Sequence, residues 1–170
     1  MPIIAKENKG EFSTPPEALH SAVCCDVVDK GVVTSQWGES HQVQIRWQLE
    51  DLDPKTNKPY IVMRKFRLSL HEKSSLRPML ESWRGRKFSP EDLEGFDLER
   101  LIGVNCQVQI IHNIANNGKT YANVQACVPA AKGSSKLKVR DYTRVIDREH
   151  QEDLEQHPDG FEAQDSDVPF

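Results

Sequence analysis

The stretch "HQVQIRWQLED", residues 41–51, constrains this chain more than any other. Val43, Ile45, Trp47 and Leu49 alternate with Gln42, Gln44, Arg46 and Gln48. A period of two puts the first set on one face of a strand and the second on the other, whereas a helix would scatter the four apolar residues around its circumference. The chain must therefore build a sheet with one strongly apolar face.

Further strands are legible on the same grounds. "ALHSAVCCDVVDKGVV" is long for one strand and β-branched near its end, as expected of a bent strand shared between two parts of a sheet. The loop "TSQWGES" follows it. "LDPKTNKP" carries turn chemistry through Asp53-Pro54 and Asn57-Lys58-Pro59, and leads into "YIVMRKFRLSL", where Phe66, Leu68 and Leu70 are expected inward and Lys65, Arg67 and Ser69 outward. Later, Val104, Cys106, Val108 and Ile110 alternate with Asn105, Gln107 and Gln109, and "NNGK" turns the chain into "TYANVQACV".

Between the third and fourth strands the period changes. Leu76, Met79, Leu80 and Trp83 recur at helical spacing. A start near Ser74 or Ser75 leaves Pro78 in the first turn, where its missing N–H costs little, and Gly85 ends the helix. "SPED" then predicts a short capped helix with Ser89 at the N-cap, Pro90 at the first position and Asp92 completing a capping box, ended by Gly95.

The predicted order is β-β-β-α-β-β, a mainly β chain with one or two short helices. That order is the order of a five-stranded oligonucleotide-binding (OB) barrel, which grips nucleic acid across strands two and three and the neighbouring loops. A five-stranded sandwich with another winding is the alternative. The body spans residues 17–131. Residues 1–16 hold Gly, Pro and charge without periodicity and read as a flexible arm, residues 132–146 as a basic linker, and residues 147–170 as an acidic, disordered tail.

Charge separates these parts. Residues 147–170 carry nine Asp/Glu and one Arg, a balance of −8; of the chain's 22 basic and 26 acidic residues this leaves 21 and 17, or +4, for residues 1–146. A basic body bearing an acidic tail suggests a polyanionic partner for the body and a separate task for the tail. The tail could also occupy the basic face when the partner is absent, so its removal is expected to tighten binding at low salt.

Little points to catalysis. "HEKSS" begins like a zinc-protease motif, but four residues after His71 stands Ser75, so the second ligand is missing. The other histidines lack ligand spacing, and there is no nucleophile elbow, phosphate loop or dinucleotide-binding glycine pattern. Cys24, Cys25, Cys106 and Cys127 match no metal spacing and fall in predicted strands, so reduced, buried thiols are expected. The chain is expected to be no enzyme, to need no cofactor or metal, and to stay in the cytoplasm, because no apolar run approaches the roughly 20 residues of a membrane span.

Binding has more support. Single strands are gripped by a basic groove that follows the phosphates and by aromatic rings on which bases stack. Strand two offers Arg46 outward, and strand three offers Lys65 and Arg67, with Arg64 at a position that a twist would turn outward. Tyr60 opens strand three. Trp37 occupies the first hairpin loop, as a stacking ring or a loop anchor; Lys119 occupies the last loop, and Tyr121 points away from Ala122 and Val124. Trp47 and Trp83 lie on apolar stripes and belong to the core. The basic "WRGRK" patch would either touch phosphate or complement the helix C-terminus.

The last residues, "DSDVPF", resemble the C-terminal tip of bacterial single-stranded DNA-binding proteins, which end in aspartates, a small aliphatic residue, proline and phenylalanine. The segments "SLHEKSSLRPMLESWRGRKF", "GFDLERLIG" and "GKTYANV" are similar to those of a family of small bacteriophage replication-region proteins thought to be OB-fold single-stranded DNA-binding proteins. The resemblance implies a protein of the bacterial cytoplasm that binds single-stranded DNA without sequence preference. It also implies that the tip, through Asp165, Asp167, Val168, Pro169 and Phe170, recruits host or phage replication and recombination proteins. As a peptide ligand the tip makes physical sense: a basic pocket can take the carboxylate, an apolar cleft the Phe170 ring, and Pro169 reduces the entropy lost. RNA can satisfy the same contacts as DNA.

Overall fold

The fold is known from a computed structural model, which describes residues 14–148. Five strands form one antiparallel sheet: β1 (Ala18–Ser35), β2 (Gly38–Leu52), β3 (Pro59–Arg67), β4 (Asn105–Ile114) and β5 (Thr120–Pro129). Their order across the sheet is β3-β2-β1-β4-β5. Helix α1 (Leu76–Arg84) and the short α2 (Pro90–Glu94) lie between β3 and β4, followed by a 3₁₀ turn at Leu98–Leu101 that the sequence reading did not anticipate.

The alternation in β2 is realised: Val43, Ile45, Trp47 and Leu49 are all buried. Against them α1 places Leu76, Met79, Leu80 and Trp83, and the Trp83 ring meets that of Trp47 at a centroid distance of 5.9 Å. Burying each such side chain contributes about 1.5–3 kcal/mol. Ser75 stands at the N-cap of α1, Pro78 sits in its first turn, and Gly85 closes it with φ 74°. A side chain at Gly85 would be strained by that φ and would bring a Cβ to 3.2 Å from Pro129 Cγ. The Ser89/Asp92 capping box of α2 is present on both sides.

β1 is bent, as its length suggested, and the register explains how. Cys25 is an extra residue between the pairs Cys24–Trp47 and Asp26–Arg46, and Lys30 is another between Asp29–Val43 and Gly31–Gln42. Each bulge sharpens the local twist. At the second, Gly31 takes φ 69° and the Asp29 carboxylate accepts its N–H at 2.7 Å. Beyond the bulges β1 and β2 run on as a two-stranded arm to the turn at Gln36–Trp37, so the expected loop "TSQWGES" is mostly strand.

At the other end β3 stops at Arg67, three residues short of the predicted strand. Leu68, expected inward, is exposed there. No strand ladder joins β3 to β5 among the described residues. The two edges nevertheless approach each other, and Arg64 Nη1 donates to the Val124 carbonyl across the gap at 3.2 Å.

All four cysteines are free and buried. Burial, and then the neighbouring Asp26 charge, pushes the Cys25 thiol up to about 12, and burial raises Cys24 well above its ordinary value. Folded protein at pH 8 should therefore resist iodoacetamide at all four positions, whereas unfolding in urea should make all four react; mass spectrometry reads the difference. Alkylation of Cys25 in the folded state would contradict this packing.

Candidate functional site

The outward face of β2 and β3 is assembled by their register. Gln42 stands opposite Arg67, Gln44 opposite Lys65, Arg46 opposite Met63 and Gln48 opposite Ile61. With a period of two, these eight side chains form four cross-strand rows on one surface. Arg46, Lys65 and Arg67 thus share a face. Beside them Ile61 and Met63, 41% exposed, give that surface an apolar strip that the sequence reading passed over. The parity that sends Val62 and Phe66 inward already implied it.

Two residues expected on this face are elsewhere. Tyr60 has inward parity with Val62 and Phe66 and is only 9% exposed, so it belongs to the core, and what remains accessible of it lines the groove beneath the strap. Arg64 also has inward parity. Its guanidinium lies 4.9 Å from the Phe66 ring centroid while it bridges to β5, so the twist does not turn it outward and it acts at the seam between sheet edges.

The remaining candidates sit on two hairpin ends. Trp37 is 88% exposed at the tip of the β1–β2 arm, its backbone N–H donating to Ser35 Oγ. That exposure removes the loop-anchor reading. Lys119 closes the β4–β5 turn, donating its backbone N–H to Asn117 Oδ1, and Tyr121 is exposed beside it, accepting from Asn117 Nδ2 at 3.4 Å. This hairpin lies at the opposite end of the strand order from β3. Of the "WRGRK" patch, Arg84 is committed: it pairs with Asp92 and lies over the rings of Phe88 and Phe96.

The largest departure from expectation is the basic stretch after Lys136. Instead of a loose linker, residues 137–148 form a strap across the outer face. Asn105 on β4 exchanges two hydrogen bonds with the backbone of Leu137, donating through Nδ2 at 3.0 Å and accepting through Oδ1 at 2.7 Å. Gln48 on β2 does the same with Arg140, at 2.5 and 2.8 Å, and is only 2% exposed as a result. Asp141 then takes φ 47° and turns the chain back toward β1.

There the strap locks onto Asp26, 1% exposed at the first bulge. The Asp26 carboxylate accepts from Tyr142 Oη at 2.7 Å, Val145 N at 2.9 Å and Arg144 Nε at 3.1 Å, while Arg144 Nη2 also reaches Glu99 at 2.9 Å. Burial alone would raise the Asp26 carboxyl, but the Val145 N–H, the Tyr142 hydroxyl and Arg144 outweigh it and hold it below its ordinary range. Burial, reinforced by the bond to Asp26, pushes the Tyr142 phenol up to about 12, so it remains the donor.

Strap and face together enclose a groove of about 660 Å³. Arg46, Met63 and Ile61 line its floor, Lys58 stands at the β2–β3 turn, and Tyr142 and Arg148 form the strap side, with Arg148 5.1 Å from the Tyr142 ring centroid. Cationic, aromatic and flexible apolar groups converge there, with Asp53 and Asp141 at its margin toward the β2–β3 turn and the strap. Such a lining suits a chain of flat, apolar-faced units joined by anions.

No group of three or more His, Cys, Asp or Glu side chains that could hold a metal ion occurs among the described residues, and none of their helices is long and apolar enough to cross a membrane. The partner-binding candidates Asp165, Asp167, Val168, Pro169 and Phe170 lie outside the described residues. No protein-family model matches the chain, and a search among curated proteins finds no relative.

Proposed function

We propose that this chain is a sequence-nonspecific single-stranded DNA-binding protein of phage type, acting in DNA replication or recombination and recruiting partner enzymes through its acidic C-terminal tip. One observation carries the reading: the register of β2 and β3 gathers Arg46, Lys65 and Arg67 with the exposed Met63 and Ile61 on a single face. The strand order, with α1 between β3 and β4 and with the β3 and β5 edges facing each other across the Arg64 bridge without a ladder, supports an OB-like architecture. In that fold the β2–β3 face and the loops holding Trp37 and Lys119 are where oligonucleotides bind. The resemblance of "DSDVPF" to the bacterial tip supplies the recruiting role.

Fluorescence anisotropy with a labelled oligonucleotide tests this. Binding should favour single strands over duplex and weaken steeply as salt rises. Equal affinity for strand and duplex, or no salt dependence, would overturn it.

A second reading is favoured by the strap, which already occupies Gln48 and Asp26 on the outer face. On that reading the chain is an OB-like adaptor that engages host replication or repair proteins through the tip and binds DNA little. Retention of host proteins that depends on Phe170, together with an oligonucleotide too weakly bound to measure, would select the adaptor.

A further inference from the structure

The segment that failed as a zinc motif has a different use. Where β3 ends, the chain folds back on itself from Ser69 to Ser74, and a pocket of about 410 Å³ opens between Arg67, Ser69, His71, Lys73 and Ser74. Each of the five residues carries a polar side-chain group. The backbone N–H of Lys73 donates to His71 Nδ1 at 3.1 Å, which makes Nδ1 the acceptor and leaves the ring proton on Nε2 as a donor. Ser69 Oγ accepts the His71 N–H at 3.1 Å, and so its own hydroxyl hydrogen is available to a ligand. Ser74 Oγ donates to the Ser69 carbonyl at 2.7 Å, tying the two ends of the loop together.

The cations are equally uncommitted. Among the described residues neither Arg67 nor Lys73 has a carboxylate within ion-pair distance, and although Glu72 lies within the loop it does not line the pocket. Arg67 belongs both to this pocket and to the last row of the β2–β3 face, opposite Gln42. A guanidinium, an ammonium, an imidazole N–H and a hydroxyl around one cavity are the complement of a tetrahedral oxyanion.

We propose that this pocket binds a phosphate group, held by Arg67 and Lys73 and oriented by His71 Nε2 and Ser69. Where the phosphate belongs to a nucleic-acid strand, the inference rests on the DNA-binding reading and extends the path of the strand beyond Lys65 and Arg67 to the start of α1. The same chemistry accepts an internal phosphodiester, a terminal phosphate or the free ion.

Amide NMR on the full chain separates these sources and tests the site. Inorganic phosphate should produce saturable shifts confined to Ser69–Ser74 and Arg67, and Lys73→Ala, an exposed position, should abolish saturation without disturbing other resonances. An oligothymidine should move the same amides whether or not its 5′ end is phosphorylated if the pocket takes an internal phosphodiester, and only when phosphorylated if it takes a terminus. In an anisotropy salt titration, Lys73→Ala should lower the slope of log K against log salt by about 0.7, the value of one single-strand phosphate contact. Absence of shifts at residues 69–74 with phosphate and with both oligonucleotides overturns the pocket. If an oligonucleotide nevertheless binds, the β2–β3 reading survives that result. Saturable phosphate shifts without oligonucleotide binding keep the pocket and remove the DNA reading.

Discussion

Asp26→Asn should loosen the strap and destabilise the protein by about 3 kcal/mol, the lower end of what breaking a buried charge pair costs. The lower end applies because Arg144 keeps Glu99 and an asparagine oxygen at the Oδ2 position keeps the Tyr142 and Val145 donors, losing only the bond from Arg144 Nε. In a chain of this length that corresponds to a fall in Tm of roughly 8 °C. Tyr142→Phe removes a single hydrogen bond to the same carboxylate and should cost about 1.5 kcal/mol, the lower end for a bond to a charged group. Hydrogen exchange should quicken mainly at residues 137–146, while the amides of β2 near Trp47 keep their protection.

The acid limb follows from the same carboxylate. Its folded pKa lies below the ordinary aspartate value of about 3.9, so its contribution is complete above that pH and is lost as the pH falls through the folded value. The Tm difference between wild type and Asp26→Asn should be constant from neutral pH to about pH 5 and shrink below about pH 4. A difference that grew on acidification would mean that Asp26 does not hold the strap as a carboxylate.

What the sequence disclosed follows from the range of the forces involved. Periodicity is local, so the strand made by Val43, Ile45, Trp47 and Leu49, the helix stripe ending at Trp83, and the Ser89 cap were all legible. The outward parity of Arg46, Lys65 and Arg67 was legible for the same reason, and register then brought them into line. Arg64 and Tyr60 both sit on the inward set of β3, and parity alone indicates this; an arginine can stay there when a carbonyl across the seam and the Phe66 ring on its own strand receive it. The strap was missed for a different reason. Its partners are Asn105, Gln48 and Asp26, and in "KLKVRDYTR" the four basic residues masked the half-buried alternation of Leu137 and Val139.

The β2–β3 face carries the second large effect. Replacing Arg46, Lys65 and Arg67 together with alanine removes three cations from exposed or half-exposed positions on one surface. Arg46 gives up a side-chain bond to Gln44, and stability should otherwise change by no more than about 1 kcal/mol. Binding should suffer far more. Three lost phosphate contacts lower the slope of log K against log salt by about 2, and at low salt the affinity for a single strand should fall on the order of 100-fold. Tail and strap remain intact in this variant, so any loss belongs to the face.

The most direct measurement is therefore a salt titration of a labelled oligothymidine, read by fluorescence anisotropy, for wild type and the Arg46/Lys65/Arg67 triple alanine variant side by side. If the strand runs over the β2–β3 face, the wild type shows a steep slope and the variant a slope shallower by about 2, at nearly unchanged Tm. Equal slopes and equal affinities in the two proteins would contradict it.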